Sequence, residues 1–306
     1  MPSPKRMIKS LVKTPPQPRV RFAEGEPRPD SYDQFRIYDA EMHDDTHRSV
    51  LFFTTHKCAS IFLGDIMRTA SQLSSMRHLN YAAAIYRMKD TIDTRGYDHT
   101  EIEHLIARNA DRLFRPRGEI YGPLRRGVDF PERRDYTQIF FLRDPRDVLV
   151  SAYFSFGGSH GTPHSTEMAR LFQDERTRMQ EEGIDRYALR AARDWIGPVF
   201  EEYAAFKRDS EHSHYFSYDL YKNDPATFLK SVLSAMGLDL DVETTPELQA
   251  FLARAVNATA QRAPQTKKTH RRSGQSKQFL TELKPDTVTE LNDILGPVLE
   301  FWNFEI

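Results

Sequence analysis

The chain has 306 residues, and its 43 basic and 44 acidic side chains leave a net charge of −1. This length suits one large domain with its own hydrophobic core, and the balanced charge gives no reason to expect nucleic acid or an anionic membrane surface as a partner. The single cysteine excludes an intrachain disulfide and a cysteine-based zinc site. No stretch approaches the ~18 apolar residues of a membrane-spanning helix. We therefore expect a soluble, cytoplasmic protein without a transmembrane segment.

The first 47 residues differ in composition from the rest of the chain. Five prolines between positions 15 and 29 prevent a continuous helix there. We interpret residues 1–47 as a partly irregular N-terminal arm and residues 48–306 as one domain. The basic residues of the arm are compatible with a solvated tail and with contact to a partner.

Strands and helices alternate along the predicted domain, because short apolar or aromatic runs alternate with stretches of helical spacing. In chain order they are a strand at 49–54, a helix at 60–76, a strand at 79–85 that is equally compatible with a helix, a helix at 100–110, strands at 117–121 and 136–142, helices from 145, at 165–182 and at 186–208, a strand at 214–220, and helices at 226–236, 246–260 and 286–302. Such alternation predicts a single α/β domain with a mainly parallel central sheet flanked by helices.

The turn between the first strand and the first helix carries Lys57. The N–H groups of residues 58–61 lie at the start of the helix, where unsatisfied donors and the positive end of the helix dipole favour a phosphate or sulfate. A nucleoside-triphosphate loop has its lysine at the end of a glycine-rich turn, beside a hydroxyl for magnesium. Here the lysine comes first and the glycines are missing, so the sequence predicts a P-loop-type strand, loop and helix that bind a different anion.

Two further basic positions point to a ligand with more than one phosphate-like group. Arg143 follows the strand at 136–142, at the edge of an open α/β sheet where ligands bind, and Asp144 and Pro145 suit the cap and first turn of a helix. A basic loop at 267–277, which contains Arg271 and Arg272, lies nearer the C-terminus. Each basic position is accompanied by a serine that could donate to the same ligand: Ser60, Ser151 and Ser273.

Motifs in these places resemble the sulfotransferase family that uses 3′-phosphoadenosine 5′-phosphosulfate (PAPS). Residues 57–62, KCASIF, resemble the family's 5′-phosphosulfate loop, Lys-Ser-Gly-Thr-Thr-Trp. Residues 143–151, RDPRDVLVS, match its 3′-phosphate motif, including the spacing from arginine to serine. Residues 218–225 and 271–279 are similar to two further family regions, so the resemblance extends over about residues 48–306.

The resemblance implies that PAPS is the cofactor, that it leaves as adenosine 3′,5′-bisphosphate (PAP), and that no metal is required. It also implies which residues contact each part of the cofactor. These are Lys57, Cys58, Ala59, Ser60 and Ile61 for the phosphosulfate, Arg143, Ser151, Arg271, Arg272, Ser273 and Gly274 for the 3′-phosphate, and Phe62 and Tyr218 for the adenine.

The chain departs from the family pattern in the loop and at the catalytic base. Cys58 stands where the family has serine, and Ala59 where it has a glycine whose backbone freedom lets the loop approach the anion. The histidine that cytosolic members use as a base corresponds by spacing to Tyr121.

Other branches of the superfamily use a glutamate as the base. Glu119 shares a strand face with Tyr121, so the hypothesis is that Glu119 deprotonates the acceptor and that Tyr121 and His160 contact it. His160 and His78 are the reserve candidates for the base.

Two functions stay open at this point. In the first, the chain transfers a sulfuryl group in line from PAPS to a hydroxyl or amine, and Lys57 neutralises the leaving oxygen as the S–O bond breaks. In the second, the chain binds the nucleotide without turnover, because the usual histidine is missing. Arginine-rich loops favour a polar or acidic small molecule or a saccharide as the acceptor. Nucleic acid is not expected as a partner, and a homo-oligomer stays open.

Overall fold

The computed structural model describes residues 46–80, 114–159, 166–260 and 274–306, and the account below concerns these residues. All of them belong to one unit of the chain, Met42–Ile306. Within them, no helix combines the length and the apolar character that crossing a membrane requires.

The centre of the fold is a five-stranded sheet in the order β2-β3-β1-β4-β5. Its strands are β1 Val50–Thr54, β2 Arg77–Leu79, β3 Glu119–Leu124, β4 Thr137–Leu142 and β5 Ser213–Ser217. All four pairings are parallel, and the three central strands are buried along their whole length because both faces are covered. The predicted α/β domain with a parallel central sheet is thereby confirmed.

Helices surround the sheet and connect its strands. They are α1 Ser60–Leu73, α2 Pro145–Phe154, α3 Thr166–Ala191, α4 Gly197–Arg208, α5 Tyr218–Asn223, α6 Pro225–Ala235, α7 Pro246–Ala260, α8 Phe279–Glu282 and α9 Pro285–Phe301. A 3₁₀ turn covers Pro131–Asp135, and π turns cover Ser155–Ser159 and Ala192–Ile196. The predicted division near residue 183 is present as a kink, because Gly183 has φ 71° inside α3.

Aromatic side chains form the core on both faces of the sheet. Because successive strand residues point to opposite faces, the adjacent pair at the centre of β4 serves both sides. Phe140 stacks on Phe53 with ring centres 5.1 Å apart, and Phe141 packs on Phe228 of α6 at 5.0 Å. On the face that carries Phe53 and Phe140, Trp302 also packs against the core, with its ring centre 5.5 Å from that of Phe140.

The third strand differs from its prediction in a way that matters for the site. The strand was expected to end before Gly122 and Pro123, yet β3 continues through both to Leu124. A register shift in its pairing with β1 accommodates the proline. A Cβ at Gly122 would lie 2.9 Å from the Cβ of Phe52, so only glycine permits this close approach. Arg125, instead of Gly122, therefore follows the carboxyl end of β3.

Two other predicted elements are only partly comparable with the structure. The second strand begins earlier than expected and covers Arg77–Leu79. Residues 81–85 of that prediction, and the helix predicted at 100–110, lie outside the described residues.

Candidate functional site

The turn after β1 has an unusual backbone. Lys57 has φ 66° and Ala59 has φ 47°, both in the left-handed region that side chains with a Cβ seldom occupy. Ala59 is also the N-cap of α1, and it provides no side-chain hydrogen bond to the first turn. The alanine thus adopts the conformation that glycine reaches without strain. Residues are held in this region mainly where the surrounding structure requires it, as in ligand-binding loops.

Lys57 lies in a cluster of positive charge. Burial lowers the pKa of Lys57, and the nearby charges of Arg143 and Arg125 lower it further. The pKa of Lys222 in α5 is also lowered, by burial and by Arg143. Like charges this close repel one another, and a bound anion would remove that repulsion. We call this positively charged edge, at the carboxyl ends of β1, β3 and β4, the anion-binding edge because its charge suits an anion.

Arg143 follows β4 and is almost completely buried. Its Nη2 donates a 2.5 Å hydrogen bond to the carbonyl of Gln275 and lies 3.4 Å from the carboxylate of Asp147. Its guanidinium carbon is 4.9 Å from the centre of the Tyr218 ring. The buried Nε has no hydrogen-bond partner among the described residues. A buried donor without an acceptor is costly, so this group fits an anionic ligand.

The C-terminal loop is attached to the same edge. The hydroxyl of Tyr218 donates to the carbonyl of Gly274 at 3.1 Å. The buried carboxylate of Asp147 accepts from the backbone N–H of Lys277 at 2.8 Å and of Phe279 at 3.3 Å. The structure thus brings together Arg143, Tyr218 and Gly274, three of the residues expected to contact the cofactor.

The other residues predicted for the 3′-phosphate divide into two groups. Ser151 is half-buried in α2, two turns after Arg143. Arg271, Arg272 and Ser273 lie outside the described residues, and so does His160.

Cys58 anchors the turn to β4. Its thiol donates to the carbonyl of Phe141 at 3.4 Å, beside the hydroxyl of Thr54, which donates to the same oxygen at 2.9 Å. Burial raises the pKa of the Cys58 thiol to about 12, so the side chain is a protonated thiol and not a nucleophile. The hydroxyl of Thr55 is buried without a partner in the described part of the chain.

The two apolar residues of the loop have different surroundings. Ile61 is 80% exposed at the start of α1. Phe62 is half-buried and packs on Tyr221 and Phe251, with ring centres 4.3 and 4.6 Å away. The residue predicted to contact the adenine therefore belongs to an aromatic cluster beside α5.

Glu119 does not lie where a catalytic base is needed. It is the first residue of β3, and its backbone N–H donates to Ser49 Oγ at 2.9 Å. Ser49 precedes β1, so about 16 Å of strand separates this position from the end of β1. The carboxylate of Glu119 forms a double hydrogen bond with Arg77, at 3.0 and 2.5 Å. Glu119 belongs to the opposite edge of the sheet, which corrects the expected role.

Tyr121 and His78 are also away from the anion-binding edge. Tyr121 is fully buried beside Leu51 in the middle of the sheet, and its hydroxyl accepts a 2.6 Å hydrogen bond from the N–H of Arg115. It is a core residue and not a substrate contact. His78 pairs with Ile120, and its Nε2 lies 2.9 Å from the carbonyl of Gly122. Burial lowers the pKa of His78, which keeps the imidazole neutral.

Arg125 is a site residue that the sequence motifs do not identify. It directly follows β3, and its Nη2 donates to Ser60 Oγ at 3.2 Å. Its position depends on the strand's continuing past Gly122 and Pro123. The apolar Leu124 after that pair is the one sequence signal that could have indicated the longer strand.

The described residues contain no cluster of three or more histidine, cysteine, aspartate or glutamate side chains that could hold a metal ion.

Comparison with known proteins gives a family and a few similar structures. The family model for the sulfotransferase domain matches residues 133–302. No curated protein sequence matches the chain. Mouse sulfotransferase SULT7A1 complexed with PAP is similar in structure, with 12% identity, 89% of this chain and 90% of that chain covered, and a TM-score of 0.49.

Two structures of retinol dehydratase are also similar. The complex with retinol and PAP has 14% identity, covers 84% of this chain and 83% of that one, and has a TM-score of 0.47. The complex with androsterone and inactive cofactor PAP has 12% identity, 84% and 82% coverage, and a TM-score of 0.49. The family match alone spans more than half of the 306 residues, including β4, Arg143, Tyr218 and the C-terminal loop. The chain belongs to the sulfotransferase domain family.

Proposed function

We propose that this sulfotransferase-family chain binds PAPS at the anion-binding edge and transfers the sulfuryl group to a hydroxyl or amine of an acceptor. The observation that carries the proposal is the convergence of Lys57, Arg125 and Arg143 at the ends of three neighbouring strands. PAPS has a phosphosulfate and a separate 3′-phosphate, so it supplies negative charge at two points of such an edge.

The contacts suit the two anionic ends of this cofactor. The turn at Lys57 and the uncapped first N–H groups of α1 suit the 5′-phosphosulfate. Arg143, with its unpartnered Nε, and Ser151 suit the 3′-phosphate, on the side of the sheet where Tyr218 and Gly274 meet. Family membership supports the same assignment, and the roles of Arg271, Arg272 and Ser273 follow from their motif alone.

Sulfuryl transfer has a loose transition state, so it requires positioning and charge stabilisation from the protein more than covalent chemistry. Lys57 neutralises the charge that grows on the bridging oxygen as the S–O bond breaks. Burial, and then the charges of Arg143 and Arg125, lower the pKa of Lys57, and a bound anion would offset both effects. No metal is needed for this step.

A second candidate function is nucleotide binding without turnover. It is favoured by the residue that occupies the place of the family's histidine. Tyr121 is fully buried and its hydroxyl already accepts a hydrogen bond, so it cannot deprotonate an acceptor.

Calorimetric titration with adenosine 3′,5′-bisphosphate (PAP), followed by transfer of radiolabelled sulfate from PAPS to a panel of phenols, steroids and saccharides, separates the two functions. Binding with transfer supports the enzyme, and binding without transfer to any acceptor supports the second candidate. Lys57→Met should abolish transfer. The matched control Lys230→Met, at an exposed position of α6, should not change it. Absence of PAP binding by the unmodified chain would contradict both functions.

Three sequence-based expectations stay proposals beside this one. They are an N-terminal arm at 1–47 with one domain at 48–306, a small-molecule or saccharide acceptor, and a cytoplasmic location. The location is compatible with the lone reduced thiol of Cys58. Cell fractionation tests it directly.

A further inference from the structure

Arg125 and Arg143 lie on opposite sides of Lys57. The strand β1 pairs with β3 on one side and with β4 on the other. Arg125 directly follows β3, and Arg143 directly follows β4. Lys57 follows β1, and the charges of both arginines lower its pKa in addition to the effect of burial. The edge therefore presents three cations in the order Arg143, Lys57, Arg125.

This order gives the bound cofactor a direction, if the proposed function is correct. The 3′-phosphate belongs on the side of β4 and β5, where Arg143, Tyr218 and Gly274 meet. The phosphosulfate then lies over the turn at Lys57. Adjacent strands are about 4.8 Å apart, so the terminal sulfuryl group extends from Lys57 towards β3, where Arg125 is located.

We propose that Arg125 contacts the sulfonate oxygens of the group that is transferred and stabilises their charge during transfer. The inference rests on the proposed function and adds a catalytic residue that the family motifs do not contain.

The contact with Ser60 gives Arg125 a defined orientation. Ser60 is the first residue of α1 and belongs to the phosphosulfate loop, and its hydroxyl accepts from Nη2 of Arg125 at 3.2 Å. A guanidinium is planar and carries five donors in a fixed arrangement. One hydrogen bond to the loop therefore orients the plane, and neighbouring N–H groups of the same plane can engage two oxygens of a sulfonate.

The chemical step has a simple balance. The acceptor oxygen or nitrogen forms a bond to sulfur while the bond from sulfur to the bridging oxygen breaks. The electron pair of the broken bond stays on the 5′-phosphate of PAP, and the acceptor's proton is released to water. Nothing is oxidised or reduced. The three sulfonate oxygens carry the charge through the transition state, and a preorganised cation beside them lowers its free energy.

Binding measurements with PAPS and PAP test the proposal without knowledge of the acceptor, because only PAPS has the sulfonate. Arg125→Met should weaken PAPS by about 10-fold, as expected for the loss of a charge-assisted contact, and leave PAP within about 2-fold. The matched control is Arg126→Met, which removes the next charge in the same loop. The charge of Arg126 interacts with the carboxylate of Glu202 in α4. Arg126→Met should therefore change neither the affinity for PAPS nor the affinity for PAP.

With any acceptor found by the panel above, Arg125→Met should lower kcat by about 10²- to 10³-fold. Arg125→Lys keeps the charge and should retain more of kcat than Arg125→Met. Thermal denaturation checks that each variant is folded.

The inference is overturned if Arg125→Met weakens PAPS and PAP equally, or weakens neither, or if Arg125→Lys and Arg125→Met lose the same activity. Failure of the unmodified chain to bind PAP is a different result, since it contradicts the proposed function itself.

Discussion

Replacement of Asp147 by asparagine should strongly destabilise the protein. The carboxylate of Asp147 is completely buried. It accepts two backbone hydrogen bonds, from Lys277 and Phe279, and faces Arg143 at 3.4 Å. In Asp147→Asn the amide nitrogen must face one of these N–H donors, and the buried charge of Arg143 loses its carboxylate.

The magnitude follows from burial. Removal of one partner from a buried ion pair costs about 3–5 kcal/mol, because the remaining charge is uncompensated. The exposed pair of Arg68 and Asp65 provides the matched control. Its atoms are closer, at 2.7 Å, but both side chains are largely exposed to solvent. Exposed pairs contribute about 0–1 kcal/mol, so Asp65→Asn should lower the free energy of unfolding by less than about 1 kcal/mol.

Urea denaturation, followed by tryptophan fluorescence, measures both variants. Trp302 is buried in the core and Trp195 is half-buried, so the signal reports on the packed domain. The expected result is a much lower midpoint for Asp147→Asn and an unchanged midpoint for Asp65→Asn. Equal effects of the two substitutions would refute the reasoning, because burial would then not determine the cost of losing an ion-pair partner.

Three further predictions concern the turn. Ala59→Gly should stabilise the protein by about 0.5–1 kcal/mol, since relief of the left-handed backbone exceeds the added chain entropy; a fall in the denaturation midpoint would contradict this. Lys57→Met should raise the melting temperature at pH 7 while abolishing PAP binding. Because the pKa of Lys57 is lowered in the folded state, its protonated form opposes folding at neutral pH, and this gain should shrink as the pH rises towards 10.5; a gain that is constant with pH would argue against the charge cluster. Cys58 should resist iodoacetamide at pH 8 in the native protein and react after unfolding, because its thiol is buried with a pKa of about 12; rapid alkylation of the native protein would show that the thiol is accessible.

Local sequence determined several features of the site. Asp144 and Pro145 begin α2 as predicted, because the aspartate side chain accepts from the N–H of Arg146 at 2.9 Å and proline suits the first helical position. The strand and helix around Lys57 follow from short apolar runs of the correct period. These interactions join residues that are near one another in the chain, so they can be predicted from the local sequence.

Tertiary structure alone decided which charged groups meet. Strand alternation correctly placed Glu119 and Tyr121 in one strand, but only the register with β1 shows that Glu119 lies beside Ser49, far from the carboxyl edge. Only the continuation of β3 to Leu124 places Arg125 beside Ser60. Register and strand ends depend on neighbouring strands from distant parts of the chain, such as the close approach of Gly122 to Phe52. A local pattern cannot encode them, because a shift of a few residues moves a side chain from one edge of the sheet towards the other.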